Sequence, residues 1–134
     1  LSSYDCEKIT KYFKNTPIFV DSKKNDLSCF KNSIIKINEK EHKTMVKTSN
    51  NSKLIVTLGD KGALYNNKLY KTDKVEVYDV CGAGDVFLSA LAVHFLLTNR
   101  LEDAIMFANR CASFSVSKFG TYTLTKEEIN DLRI

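Results

Sequence analysis

Only one proline and five glycines occur among the 134 residues, and no segment repeats a Gly-X-Y pattern, so a collagen-like chain is excluded. Low-complexity linkers are absent too. At 43% hydrophobic and 27% charged, the sequence holds too much apolar side chain for disorder and enough for a buried core. Four cysteines (Cys6, Cys29, Cys81, Cys111) form no C-x-x-C pair, and the two histidines, His42 and His94, lie far apart. That argues against both a disulfide scaffold and a zinc site. No basic leader followed by an apolar segment opens the sequence, so the thiols read as reduced and the protein as cytoplasmic. The longest apolar run, Val86 to Leu97, is broken by Ser89 and His94 and is too short to span a bilayer. Nor is there a block of like charge. Twenty Lys+Arg against 16 Asp+Glu give a net charge of +4, spread as lysines among Asn and Ser in the first half. Such a pattern describes a solvated surface and gives little support to nucleic-acid or membrane binding. The chain opens on Leu1 rather than Met, within a helix-like segment, as a piece of a longer chain would.

What is present alternates between two periodicities. Asp5 to Asn15 carries Cys6, Ile9, Tyr12 and Phe13 at helical spacing, and Pro17 then turns the chain into the strand Ile18-Phe19-Val20. Asp26 to Asn32 suggests a short helical turn with Leu27 and Phe30 inward. Ser33 to Ile37 is a brief β-branched strand, and Asn38 caps a polar helix reaching about Lys47. Leu54 to Leu58 forms a strand entering a turn at Gly59 and Gly62. Residues 63–65 and 68–71 flank Asn66-Asn67 as a hairpin, and Lys74 to Tyr78 alternates as another strand. Two helices follow, Gly82 to about Thr98 and Leu101 to Lys118, with His94 packed inside the first. Thr125 and Glu128 then form a capping box. Strands alternating with helices predict one α/β layered domain over residues 1–134, with a mainly parallel sheet that gathers ligands at the strands' carboxyl ends.

The chemistry is concentrated in Asp79-Val80-Cys81-Gly82-Ala83-Gly84-Asp85, which follows a strand and opens an apolar helix. Gly82, Ala83 and Gly84 carry little or no side chain, so their N–H groups can converge on an anion at the positive end of the helix dipole. Asp85 lies in the first turn, where the dipole favours its ionised form and a substrate hydroxyl beside the anion is within reach. Phosphoryl transfer asks for little beyond positioned charge, a base and such donors. The same residues also suit an ordinary helix start with a dipole-pairing carboxylate. No Lys-Ser/Thr follows the glycines, as a Walker A loop requires, and neither the dinucleotide fingerprint nor the G-x-S-x-G of serine hydrolases is present.

The segment Asp79 to Ala92 (DVCGAGDVFLSALA) resembles the C-terminal signature of the ribokinase-like carbohydrate kinases, the PfkB family. That resemblance implies a ribokinase-like layered fold, with Gly82, Ala83 and Gly84 as the anion hole for the transferred phosphoryl group and Asp85 as the base that deprotonates the sugar hydroxyl. Weaker motifs recur in the family's order. Asn38 to Glu41 resembles its N-x-x-E motif, implying Asn38 and Glu41 near Mg²⁺. Thr57 to Gly62 resembles its T-x-G-x-x-G turn, implying Thr57, Gly59 and Gly62 beside the phosphates of ATP, and Asn109 matches a position near the adenine. Val20 to Lys23 and Val116 to Thr121 are similar to segments of the heptose 7-phosphate kinases, found as the kinase half of bifunctional ADP-heptose synthases. They imply Lys23 on a phosphate and Gly120 at the edge of the nucleotide pocket.

The reaction so implied moves the ATP γ-phosphoryl group to the anomeric hydroxyl of heptose 7-phosphate, as a step toward surface-glycan precursors. Kinases of this family acting on ribose, fructose or nucleosides are the alternatives, with an inactive nucleotide-binding fragment as a further one. Val80 and Cys81 replace the usual threonines, which removes hydroxyls available to a monovalent cation and sets a thiol, expected buried and inert, beside the phosphate site. The family's sugar-binding residues and β-sheet lid lie in an N-terminal portion outside these 134 residues. Taken alone, the chain is therefore expected to bind nucleotide weakly, to phosphorylate sugar poorly, and to associate through exposed apolar surface as a possible homo-oligomer.

Overall fold

A computed structural model describes residues 1–76, 79–118, 120 and 122–133. It contains α1 (Ser3–Tyr12), β1 (Phe19–Asp21), β2 (Asp26–Leu27), β3 (Ile34–Asn38), α2 (Glu39–Thr44), β4 (Lys47–Thr48) and β5 (Lys53–Thr57). A 3₁₀ turn, Gly59–Lys61, leads to β6 (Ala63–Tyr65), β7 (Lys68–Tyr70), α3 (Ala83–Thr98), α4 (Leu101–Val116) and α5 (Lys126–Leu132). Two compact units divide the chain: Leu1–Leu58 with Leu64–Lys68, and Gly59–Ala63 with Leu69–Ile134.

The first unit is built on parallel strands. The five-stranded sheet runs β1-β3-β5-β6-β7, and the boundary between the units falls in its β6–β7 hairpin. β3 pairs in parallel with β1 on one side and β5 on the other. A strand so enclosed is covered on both faces, and Ile34, Ile35, Lys36 and Ile37 are all buried. Its one charged member, Lys36, is matched by register partner Asp21 of β1, whose carboxylate lies 2.8 Å from Nζ. Cys6, Val20, Leu27, Cys29, Phe30, Ile35, Ile37 and Val56 make the apolar core, each large aliphatic there contributing about 1.5–3 kcal/mol. The hairpin is as expected, with Asn66 and Asn67 at φ 54° and 62°, the left-handed pair that a two-residue turn demands.

The second unit is led by a helical pair. α3 and α4 are joined through Asn99 and Arg100, with Asn99 left-handed at φ 53°. Phe87 and Leu91 of α3 are buried, as are Leu101, Ala104, Ile105, Phe107, Ala108 and Cys111 of α4. His94 stacks on Phe107 with ring centroids 4.8 Å apart, the packed position expected for it.

Several sequence expectations need correction. Asp26 to Asn32 is not a helical turn: Asp26 and Leu27 pair in parallel with Lys47 and Thr48, and Asp26 Oδ1 accepts the Ser28 N–H at 2.9 Å, a local bond that competes with helix. Leu27 and Phe30 do point inward. α2 stops at Thr44 because Val46 N–H donates to Asn25 O at 2.8 Å and β4 begins. On α1 the buried residues are Cys6 and Thr10, whereas Ile9, Tyr12 and Phe13 are exposed. Lys74, Val75 and Glu76 form no strand, and the rest of that expected strand, residues 77–78, lies outside the described residues.

Candidate functional site

In the first unit the parallel register aligns the strand ends. Asn38, last of β3, is the register partner of Thr57, last of β5, and Lys23 lies two residues beyond the end of β1. Asn38, Glu41 and Thr57 are thus brought together at the carboxyl edge, where open α/β sheets bind ligands. The N-x-x-E motif is a capping box: Asn38 Oδ1 accepts the Glu41 N–H at 2.8 Å, and Glu41 Oε2 accepts the Asn38 N–H at 2.8 Å. The reciprocal bonds hold both side chains at the start of α2. One oxygen of Glu41, Oε1, keeps no bond among the described residues, and Asn38 is exposed. Such groups fit a magnesium ion that retains most of its water shell. Thr57 Oγ1 donates to Ile37 O at 3.3 Å, which ties β5 to β3 just before the glycine turn.

The turn after β5 depends on two glycines with different demands. Gly59 adopts φ +61° with open space where a Cβ would stand. At Gly62 φ is +106°, and a Cβ would stand 2.0 Å from Tyr70 O, so only a bare backbone fits. Asn109 supports the same place from α4. Buried to 5% exposure, it donates from Nδ2 to Tyr70 O at 2.8 Å, and its own carbonyl accepts the Thr72 hydroxyl at 3.3 Å. Its Nδ2 thus fixes the end of β7.

At the signature turn, Gly82 is the N-cap of α3 and is left-handed at φ 78°. Asp79 Oδ1 accepts the Cys81 N–H at 2.8 Å, folding the turn back on itself, and Asp79 N–H donates to Val116 O at 3.2 Å. These two bonds place the turn next to the end of α4, which leads into Lys118 and Gly120. Asp79 is a positioning residue the sequence reading missed; its signal was an Asp two residues before the first turn amide, the spacing of an Asx turn. Ala83 N–H donates to Val80 O at a long 3.3 Å, so one of the expected anion donors is partly engaged by its own chain. No side chain caps α3, and among the described residues the amides of Gly82, Gly84 and Asp85 carry no bond. Open amides at the positive end of a sixteen-residue helix are the arrangement that favours an anion. Asp85 is exposed there, not packed in hydrocarbon. Cys81, expected buried, is exposed as well.

Beyond α4, Lys118 Nζ lies 4.6 Å from the Phe114 ring centroid and 5.8 Å from that of Tyr122. Gly120 follows at φ +76°, while its neighbours 119 and 121 lie outside the described residues. Lys23, Asn38, Glu41 and Thr57 belong to the first unit, and Gly59, Gly62, Gly82, Ala83, Gly84, Asp85, Asn109 and Gly120 to the second. The Lys36–Asp21 pair could have been read from a charge inside an otherwise apolar strand, since a buried ammonium requires a partner.

Polar groups at the strand ends of the first unit, and a glycine turn and an uncapped helix start with an exposed carboxylate in the second, are features of an α/β protein with strand-end and helix-start ligand positions. The pfkB family carbohydrate kinase profile matches residues 20–128, and the chain belongs to that family. Among curated relatives, the bifunctional protein HldE of a Nitratiruptor species is 34% identical over 160 residues, covering 98% of this chain and 34% of that protein. The bifunctional protein HldE of Campylobacter curvus is 32% identical, covering 87% of this chain and 30% of its own. Of solved structures, phosphofructokinase-2 from Escherichia coli in complex with potassium superposes with a TM-score of 0.81 at 19% identity, covering 99% of this chain and 52% of that one. Ribokinase from Thermotoga maritima gives 0.71 at 24%, covering 96% and 51%. These structures establish a ribokinase-like layered fold, present here as a partial domain. The chain spans about a third of the HldE proteins and about half of the solved kinases.

Proposed function

We propose that this chain is the ATP-handling part of a sugar kinase domain, its two units belonging to that single domain, and that the acceptor is a heptose phosphate. The observation that carries the reading is the start of α3: open amides at Gly82, Gly84 and Asp85 beside an exposed carboxylate. In the proposed reaction those amides, Ala83 contributing where its bond to Val80 yields, donate to the oxygens of the transferred phosphoryl group, whose negative charge the helix dipole also favours. Asp85 takes the proton of the attacking sugar hydroxyl. Asn38 and Glu41 hold a hydrated Mg²⁺, which when bound neutralises phosphate charge. Thr57, Gly59 and Gly62 let backbone approach the nucleotide phosphates, Lys23 supplies a cation to a phosphate, and Gly120 with Lys118 borders the base. Asn109 acts through the β7 end it fixes.

Heptose 7-phosphate as acceptor is supported by the likeness to HldE proteins and by Val20-Asp21-Ser22-Lys23. A monovalent cation near the turn is supported by the potassium complex of a structural relative. ATP as donor sets the cytoplasm as the place of action. Because the chain spans only part of its relatives, the 134 residues assayed alone are expected to turn over sugar poorly. The test is Asp85→Asn in a complete kinase domain carrying this segment. Turnover is expected to fall by about 10²–10⁴-fold with ATP affinity retained. Unchanged turnover would overturn the assignment, and no turnover in either form would favour a segment that only holds nucleotide.

A further inference from the structure

In the first unit the outward face of α1 has a composition that the packing of the unit leaves unexplained. The helix is held by a narrow stripe, since only Cys6 and Thr10, one turn apart, are buried. On the opposite side Tyr4, Lys8, Lys11 and Tyr12 follow one another at the i, i+4, i+7 and i+8 positions of a single helical face. Both tyrosine rings are bare, Tyr4 at 66% and Tyr12 at 82% exposure. Lys8 Nζ lies 4.8 Å from the Tyr4 ring centroid, and the Tyr12 ring meets that of Phe13 edge-on with centroids 4.8 Å apart. Ile9 and Phe13, exposed as well, extend the apolar part along one flank. The charge of this face is one-sided. Asp5 accepts the Ser2 N–H at 3.0 Å and the Ser2 hydroxyl at 2.6 Å in the helix cap, and Glu7 lies 3.9 Å from Lys31, so both acids of α1 are engaged. Lys8, Lys11 and Lys14 pair with no carboxylate among the described residues. Lysines that look evenly scattered along the sequence are thus gathered here beside exposed tyrosines.

We propose that this face of α1 docks on the surface of an anionic phospholipid bilayer, with the helix lying in the plane of the headgroups. Tyrosine suits that level because its ring is apolar and its hydroxyl polar, and lysine buries its stem there while its ammonium meets a lipid phosphate. The helix lies on the bilayer and does not cross it, for no helix among the described residues is long and apolar enough to span one. Charge and apolar character together choose the occupant. A second copy of the chain would bring the same lysines face to face, and their repulsion opposes pairing through this face. A nucleic-acid strand would satisfy the lysines and stack on the rings, but it would leave Ile9 without an apolar partner, whereas the boundary between headgroups and acyl chains takes both kinds of side chain. A few lysines and two rings give a weak, reversible attachment that loosens as salt rises.

The experiment mixes the 134-residue chain, cleared of aggregates, with vesicles of phosphatidylglycerol and phosphatidylcholine in equal parts, or of phosphatidylcholine alone, and pellets the vesicles. Co-sedimentation with the anionic vesicles only, lost at high salt, is the expected result. Each lysine near such a surface contributes about fivefold in affinity, so Lys8→Gln with Lys11→Gln is expected to weaken binding about 25-fold. Tyr4→Ser with Tyr12→Ser keeps every charge and is expected to weaken binding too, whereas Lys53→Gln, on β5, leaves it unchanged. All five positions are exposed, and far-UV circular dichroism checks that each variant is folded. Equal binding to both vesicle types, no binding at low salt, or binding that the lysine and tyrosine pairs leave intact would overturn the proposal. Tighter binding to a single-stranded oligonucleotide than to anionic vesicles at the same salt, weakened by the same variants, would assign the face to nucleic acid instead. Self-association lost in the tyrosine pair while vesicle binding persists would assign it to a second copy.

Discussion

At Gly62 an added methyl group would meet Tyr70 O at 2.0 Å on a backbone already at φ +106°, whereas at Gly59 it would meet open space. Gly62→Ala is predicted to cost at least about 2 kcal/mol and Gly59→Ala only about 1, the left-handed penalty alone. Urea unfolding of the two variants checks this, and equal losses would contradict it. The Asp21–Lys36 pair makes a second contrast at this scale. Lys36 is the more deeply buried partner, with 6% of its side chain exposed against 32% for Asp21. Asp21→Asn strands a buried ammonium and is predicted to destabilise by about 3 kcal/mol, while Lys36→Met, which removes the buried charge, costs well under half as much. The reverse order would show that the pair stabilises as an ion pair in its own right. The turn around Asp85 was legible because its signal is local: glycines, a helix start and a carboxylate within seven residues. Asn109 was not, because its partner Tyr70 is 39 residues away and no local pattern announces that bond.

Among elements, α5 gives the clearest dependence on pH. The Glu128 carboxyl is held below its usual range, first by the Thr125 N–H and then by the Tyr122 hydroxyl, which donates at 2.8 Å. Since the folded value is the lower one, the cap's contribution is complete above the ordinary 4.5 and is lost as pH falls through the lowered folded value. Carbon chemical shifts of Lys126 to Glu128 are predicted to lose helical character on acidification before the rest of the second unit does. Retention until global unfolding would contradict this, and Thr125→Ala is expected to cost about 1 kcal/mol at neutral pH. Helices with end signals, such as α3, α4 and α5, were readable because capping and apolar periodicity act within a turn or two. β2 and β4 were not, since two-residue strands exist only through pairing with each other, a tertiary choice that overrode the helical look of both segments.

For the whole molecule, the mainly parallel sheet followed from alternation of strand and helix patterns, while its strand order and the division into two compact units left no mark in the sequence. α3 is apolar on nearly all sides, yet Val93, Leu96 and Leu97 are 48%, 64% and 66% exposed, and Tyr4 and Tyr12 of α1 are 66% and 82% exposed. Surface of that kind marks association, so sedimentation velocity of the 134-residue chain is predicted to show concentration-dependent self-association, and a strictly monomeric chain would contradict it. The proposed kinase chemistry requires the amides opening α3 to receive a phosphoryl group. Titration of the isotopically labelled chain with ATP and magnesium, followed by amide chemical shifts, is the decisive measurement. Saturable shifts at Gly82, Gly84 and Asp85, retained in Asp85→Asn at the two glycines, are the predicted result; saturable shifts confined to other regions, or none at any concentration, would contradict it.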